Sequence, residues 1–246
     1  MSSCTETAST RQTLGLLFLH ALPLDGSMWA AQAHLLPGST YAPTLYPFGD
    51  RIETWAEAAL ALVRQDRFIA VGCSVGGSCA LELAALAPER IAALVLIGTK
   101  ARHWPDPALQ GRVLRTLRAE GLEAAWEAFW APLFSAAADG KAIAEGRRIT
   151  LRQSLRDVAR GVTAFHTRPT RDRVLPAFPC PVAVVTGAND IAPGLKVSRM
   201  QAESAPRGRL YVVPDCGHYV PLEQPDHLNA ILREVIAACG APIVAA

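Results

Sequence analysis

Residues 71–84, VGCSVGGSCALELA, place one serine between glycines where a short apolar run changes into a helix-like run of small residues. The segment from Gly72 to Gly76 fits the pattern GxSxG, with Ser74 at its centre. Glycines two residues on either side let a strand and a helix approach closely, so the pattern predicts a tight turn that exposes the Ser74 hydroxyl. The following helix N-terminus favours negative charge beside that hydroxyl. The stretch therefore predicts a nucleophilic serine at the carboxyl end of a strand.

Short apolar runs recur along the chain, and each is followed by a helical pattern. Continuous rather than alternating apolarity is typical of strands covered on both faces, as in a parallel sheet between helices. Strands and helices alternate, so we predict the α/β class with a mostly parallel sheet flanked by helices. Residues 39–47 offer one more strand, which their two prolines disfavour. The clear runs are residues 14–20, 67–72, 91–98, 181–187 and 209–214.

The chain is predicted to form a single domain, residues 1–246, with a helical cap inserted at about 102–180. This segment has no strand-like run, and its helical patterns lie near 107–119, 121–131 and 142–166. Arginines wind along one side of the last pattern, and we interpret them as a solvated face, with an anion site as the alternative. They are Arg148, Arg152, Arg156 and Arg160.

Composition and charge exclude several classes of protein. The formal charge of +2 comes without a basic block, which argues against nucleic acid as a partner. The six cysteines show neither a CxxC pair nor regular spacing, so we expect small buried hydrophobes rather than a disulfide framework or a metal site. No run approaches the ~20 apolar residues that span a bilayer. Residues 14–24 resemble a signal-peptide core, but only Arg11 precedes them as a positive charge, and no good cleavage site follows. We therefore expect a buried first strand, a loose tail over residues 1–10 and a cytoplasmic protein.

A serine nucleophile needs a base, and the base needs an orienting group. His218 lies directly after the last apolar run, at the same end of the sheet as Ser74, and we predict it as the general base. Asp190 follows the run at 181–187, and we predict it as the orienting carboxylate. An Asn-Asp turn with a purely connecting role is the alternative for Asp190, and Asp215 ranks below it. The other histidines lack a comparable position, and we place one of them, His34, in a first helix; they are His20, His34, His103, His166 and His227.

Four segments together resemble proteins of the α/β-hydrolase fold, in the small-molecule esterase and lactonase branch that includes 3-oxoadipate enol-lactonases. The similarity extends from about Leu14 to Val235. The segments that show the similarity are HALPLDGSMW (20–29), GCSVGG (72–77), GAND (187–190) and GHYVPLEQPDHLN (217–229).

The resemblance implies an oxyanion hole formed by the backbone N–H groups of Leu22 and Val75, with His20 bracing the loop. Ala21 stands where the family usually has glycine, which requires a negative φ at that residue. Cys73 occupies a position that varies in the family, where it packs in the core or shapes the pocket. No cofactor and no metal are implied.

The resemblance also implies the reaction, which is cleavage of a small carboxylic ester or lactone through an acyl-enzyme on Ser74. A carbon–carbon bond hydrolase of a diketone would use the same residues, and a small-molecule receptor with little turnover would retain them. The implied partner is a small-molecule substrate. Composition and hydropathy predict neither nucleic acid nor a membrane as a partner, and the chain is compatible with a homodimer. Aromatic residues of the cap are candidates for a pocket wall or for core, namely Trp104, Trp126, Phe129, Trp130 and Phe134.

Overall fold

A single parallel sheet forms the centre of the molecule. The computed structural model describes residues 13–240, so the predicted loose tail and Cys4 lie outside the described residues. Within this range the sheet has six strands in the order β2-β1-β3-β4-β5-β6, and all neighbouring pairs are parallel. All five predicted runs form strands, and the disfavoured segment supplies the short edge strand β2. The bounds are β1 (Leu14–Leu19), β2 (Thr40–Tyr41), β3 (Arg67–Cys73), β4 (Ile91–Ile97), β5 (Val182–Gly187) and β6 (Gly208–Val213).

Burial along the strands follows their position in the sheet. Every residue of the central strand β4 is buried, whereas the edge strand β6 is largely exposed or half-buried. Continuous apolarity therefore marks strands covered on both faces. Because the strands are parallel, their carboxyl ends meet at one edge of the sheet, and the loops that carry Ser74, Asp190 and His218 leave from that edge.

Helices flank the sheet and fill the segment between β4 and β5. No helix within residues 13–240 is both long and apolar enough to cross a membrane. The bounds are α1 (Ile52–Leu62), α2 (Val75–Leu86), α3 (Pro107–Ala119), α4 (Gly121–Ala125), α5 (Gly140–Leu151), α6 (Leu155–Thr167), α7 (Val174–Ala177), α8 (Leu195–Ser204), α9 (Val220–Glu223) and α10 (Pro225–Ala238).

Three helical predictions need correction. The pattern at 142–166 forms two helices, because the Ser154 side chain accepts the N–H of Asp157 and starts α6 anew. The pattern at 121–131 is the short α4 followed by a π-helical turn, Trp126–Trp130. His34 lies in turns that follow a short 3₁₀ helix, not in a helix.

The four arginines predicted to form a solvated face lie at the surface, where Arg160 is half-buried and the other three are exposed. Three of them pair with nearby carboxylates: Arg148 with Glu145, Arg152 with Asp25, and Arg160 with Asp157. Arg156 is exposed.

The cysteines of the described range are unpaired thiols, of which three are buried and two are half-buried. The prediction of small buried hydrophobes is therefore correct for Cys73, Cys79 and Cys216.

Candidate active site

Ser74 lies on a strained turn between β3 and α2. Its backbone has φ 54° and ψ −116°, a conformation that side-chain-bearing residues rarely adopt. A Cβ atom at Gly76 would overlap the carbonyl oxygen of Leu19, and one at Gly72 would overlap the carbonyl of Gly76. The two glycines therefore allow the close approach that the turn needs, and Ser74 lines a cavity above the sheet.

His218 and Asp190 form a buried pair beside this turn. The Nδ1 atom of His218 lies 3.1 Å from Oδ1 and 3.3 Å from Oδ2 of Asp190. The two side chains are 4% and 0% exposed. A carboxylate only accepts hydrogen bonds, so Nδ1 carries the proton and Nε2 of the neutral imidazole is left as an acceptor. This is the tautomer that a general base requires.

Ser74 and His218 line the same cavity. Among the hydrogen bonds of residues 13–240, none joins the Ser74 hydroxyl to His218. Such a bond is often long in ligand-free proteins and tightens when substrate binds. The structure thus brings the three predicted residues to one edge of the sheet, and their catalytic roles stay a prediction.

The other candidate carboxylates lie elsewhere. Asp215 is exposed, and its left-handed backbone has φ 51°. Asp106 caps α3, where its Oδ1 accepts the N–H of Leu109 at 2.8 Å. Neither bonds to His218, so Asp190 is the carboxylate that contacts the imidazole.

Gly98 makes room for the His218–Asp190 pair, a role that sequence reasoning missed. It follows β4 with φ 54°, and a Cβ atom there would lie 2.8 Å from Nδ1 of His218 and 3.2 Å from Oδ2 of Asp190. The feature of the sequence that could have indicated this role is a glycine directly after a wholly apolar run.

The two amides predicted for the oxyanion hole lie in different segments, Leu22 in the loop after β1 and Val75 at the start of α2. The N–H groups of Leu22 and Val75 have no acceptor within residues 13–240. The residues with positive φ other than glycine are Ser74 and Asp215 in this range, so Ala21 meets the condition set by the sequence.

His20 fixes the orientation of the Leu22 amide. Its Nε2 accepts the N–H of Leu45 at 2.9 Å, so Nδ1 carries the proton and donates to the Ala21 carbonyl at 3.1 Å. The Leu24 N–H donates to the same carbonyl at 2.9 Å. Because C=O and N–H point in opposite directions in a trans peptide, holding this carbonyl also holds the Leu22 N–H. Burial lowers the pKa of His20 to about 4, so the ring is neutral at pH 7.

Glu223 is a second residue that sequence reasoning missed. Its buried carboxylate accepts the N–H groups of Gly217 and Tyr219, at 2.8 and 3.0 Å, which flank His218. It also accepts the N–H of Ser135 from the cap at 2.9 Å. The sequence showed only a glutamate within the segment 217–229. Its contact with Ser135 joins segments far apart in the chain and could not be predicted from that pattern. Glu223 is therefore a positioning residue for the His218 loop.

Replacing Glu223 by glutamine is expected to lower kcat by about 10- to 100-fold, with a smaller effect on KM. One backbone N–H would then face an amide N–H instead of a carboxylate oxygen, and the loop that carries His218 would lose its alignment. Steady-state kinetics at a temperature where both proteins are folded measures this. Glu234→Gln is the control, because Glu234 pairs with Arg209 at the surface. Equal kcat in the wild type and the Glu223→Gln variant would show that the Glu223 hydrogen bonds have no role in aligning the His218 loop.

The cavity has a volume of about 620 Å³, a size typical of small-molecule sites. Three of the five candidate aromatic residues, Trp104, Phe129 and Trp130, line it. The other two, Trp126 and Phe134, pack edge to face with ring centroids 5.8 Å apart and belong to the core. Aliphatic side chains of the cap also line the cavity, namely Leu109, Val113, Leu133 and Val162.

Cys73 is buried behind the serine turn, with its Sγ atom 3.8 Å from the His218 carbonyl oxygen. Burial raises the pKa of this thiol well above its usual value, so it packs in the core as a neutral group. Across residues 13–240 no cluster of three or more His, Cys, Asp or Glu side chains is arranged to hold a metal.

A parallel sheet with a strained serine turn at its carboxyl edge and helices inserted over that edge defines the α/β-hydrolase class of fold. The chain belongs to the alpha/beta hydrolase family, whose sequence model matches residues 16–230. The resemblance predicted from the sequence is confirmed.

Comparison with known proteins gives relatives over nearly the whole chain. A pimeloyl-[acyl-carrier protein] methyl ester esterase of Aromatoleum aromaticum is 27% identical, covering 90% of this chain and 97% of the relative. A thermophilic esterase from Thermogutta terrifontis has a TM-score of 0.82 and 28% identity, covering 94% of this chain and 92% of the other. The enol-lactonase from Burkholderia xenovorans shares the fold, with a TM-score of 0.80, 22% identity and coverage of 94% of both chains.

Proposed function

We propose that the protein is a serine hydrolase that cleaves a small carboxylic ester or lactone through an acyl-enzyme on Ser74. The observation that carries the proposal is the buried His218–Asp190 pair at the edge of the cavity that Ser74 lines. The relatives named as esterases support the choice of an ester as substrate.

The mechanism begins when Nε2 of His218 takes the proton of Ser74 and Oγ attacks the acyl carbon. The N–H groups of Leu22 and Val75 stabilise the tetrahedral oxyanion, each contributing about 3 kcal/mol. The imidazolium, stabilised by Asp190, then returns its proton to the leaving oxygen. The acyl-enzyme forms as the alkoxide departs as an alcohol, or as the ring of a lactone opens.

Water releases the product in the second half of the reaction. His218 takes a proton from water, and the resulting hydroxide attacks the acyl carbon. The second tetrahedral intermediate uses the same two amides. Proton return to Oγ restores Ser74 and frees the carboxylic acid, so no metal or organic cofactor takes part.

Turnover of 4-nitrophenyl acetate and butyrate, together with labelling by a fluorophosphonate, tests the proposal. We expect many turnovers per enzyme molecule and one label per chain, on Ser74. Labelling or a single burst without turnover would overturn it in favour of a receptor. Failure on every ester with cleavage of a diketone would overturn it in favour of a carbon–carbon bond hydrolase.

A further inference from the structure

One part of the mostly apolar cavity wall carries two cationic side chains. Lys100 lies two residues after Gly98, and Arg168 directly follows α6. Both line the cavity that holds Ser74. Within residues 13–240 neither forms an ion pair with a carboxylate.

Arg168 is buried to an unusual degree for an arginine without an ion-pair partner, with 5% of its surface exposed. Its Nη1 donates to the carbonyl of Phe165, and its guanidinium carbon lies 3.9 Å from the centre of the Phe165 ring. Its other N–H groups have no acceptor among the described residues. Burial lowers the pKa of Arg168 to about 10, so the group keeps its charge at neutral pH. A buried charge without a partner is costly, and a ligand anion would offset that cost.

Two neighbouring arginines of the same region each pair with a carboxylate. Arg171 pairs with Glu82 through bonds of 2.7 and 2.8 Å, and Arg102 pairs with Asp172 at 3.0 Å. The fold therefore supplies carboxylates to arginines nearby but none to Arg168. Arg168 lies inside the cavity and, among the described residues, has no such partner.

The other titratable groups of this part of the wall leave its charge positive. Burial lowers the pKa of His166 to about 4, and burial also lowers the pKa of His103, with the Arg168 charge as a further cause in both. Both rings are therefore neutral at pH 7. Asp106 also lines the cavity, where it caps α3 and, within the part of the chain that the structure describes, forms no ion pair. Two cations thus face one carboxylate.

We propose that Lys100 and Arg168 bind a carboxylate on the substrate, remote from the scissile carbonyl. The substrate class is then an ester or lactone that bears a free carboxylate, such as a monoester of a dicarboxylic acid. The planar guanidinium presents paired N–H donors that match a carboxylate, and the apolar wall takes the hydrocarbon between the two ends. This inference rests on the proposed function and adds a specificity site to it.

Matched substrates test the inference. The mono-4-nitrophenyl esters of the dicarboxylic acids from glutarate to suberate are compared with isosteres in which a carboxamide replaces the carboxylate. For at least one chain length, kcat/KM of the wild type is expected to be about 10- to 100-fold higher for the acid than for its carboxamide, as for a charge-assisted bond. Equal values at every length, with Ser74-dependent hydrolysis intact, would overturn the inference and leave the proposed function standing.

Variants test whether Arg168 and Lys100 cause the preference for the acid over the carboxamide. Arg168→Gln is expected to raise KM for the acid by about 10- to 100-fold, with kcat and the carboxamide reaction changed less than about threefold. Arg168→Lys retains part of the preference, and Lys100→Met loses a smaller part. Arg156→Gln is the control, because Arg156 is exposed on α6, the helix that Arg168 directly follows. An equal loss on acid and carboxamide in both Arg168→Gln and Lys100→Met would overturn the assignment.

Binding provides a readout that does not need catalysis. Calorimetric titration of Ser74→Ala with the monomethyl esters of the same acids is expected to give a Kd about tenfold or more below that of the carboxamides. If no ester is hydrolysed, the proposed function fails while this preference still supports the carboxylate site. Equal binding, or no binding of any acid, would overturn the inference.

Discussion

Replacing Ser74 by alanine is expected to lower kcat on 4-nitrophenyl butyrate by about 10⁵- to 10⁶-fold and to abolish fluorophosphonate labelling. In the proposed mechanism no other group supplies the acyl acceptor, and His218 and Asp190 act only through the serine oxygen. Alanine keeps the Cβ atom at φ 54°, so the turn and the fold should persist. Residual activity comes from the two amides and from binding alone.

The matched control for this experiment is Ser78→Ala. Ser78 lies one turn along α2, is 6% exposed, and has no hydrogen-bond partner for its hydroxyl among the described residues. Its removal is expected to change kcat by less than about threefold. A Ser74→Ala protein that keeps more than about 1% of kcat, or a label that moves with Ser78, would refute the role of Ser74.

The parts of the fold that could be predicted from the sequence are those with a local cause. Continuous apolarity predicted β4 because that strand is covered on both faces and buried throughout. The glycines around Ser74 predicted the turn because their spacing is a local pattern, and a Cβ atom at Gly72 would overlap Gly76 four residues later. The clash that Gly76 avoids, with the carbonyl of Leu19 in β1, is not local. The parallel order then explains why residues after β5 and β6 reach the same edge. The break at Ser154 also had a local signal, a serine three residues before an aspartate, which is an N-cap pattern.

The parts that could not be predicted depend on contacts between distant segments. Gly98 matters because the His218 ring packs against it, and Glu223 matters because its carboxylate reaches the cap as well as the His218 loop. Trp126 and Trp130 are four residues apart and share a helical face by pattern, yet Trp126 packs in the core and Trp130 also reaches the cavity. Which neighbour covers each ring is set by the tertiary fold and not by spacing.

Arg168 illustrates the same limit with charge. The sequence directs attention to the arginines of α5 and α6, and those lie on the surface, where carboxylates pair with most of them. The arginine that lies in the cavity stands after α6, outside any helical pattern. Only the fold shows that, among the described residues, no carboxylate forms an ion pair with it, so the anion site suggested for the helix arginines is proposed at a different residue.

The second large effect is expected for Asp190→Asn, which should lower kcat by about 10⁴-fold with little change in the fold. The asparagine amide could donate to Nδ1 of His218, which would place the proton on Nε2 and leave the ring unable to take the Ser74 proton. The carbonyl oxygen of asparagine could still accept the Ala192 N–H, which Asp190 accepts at 2.8 Å, so the loop should keep its shape. The pH profile of kcat/KM and the unfolding transition measured together separate loss of the base from loss of folding.

Two matched variants make this prediction specific, because the chain offers carboxylates that sequence position alone did not exclude. Asp215→Asn is sterically mild, since asparagine tolerates the left-handed φ of 51° at that position. Asp106→Asn keeps a side-chain oxygen for the Leu109 N–H that it caps. Both are expected to stay within about threefold of the wild-type kcat, because neither carboxylate contacts His218. If Asp190→Asn stayed within a few-fold while Asp215→Asn or Asp106→Asn removed activity, the imidazole would be oriented by a different carboxylate, and the 3.1 Å contact with Asp190 would be structural only.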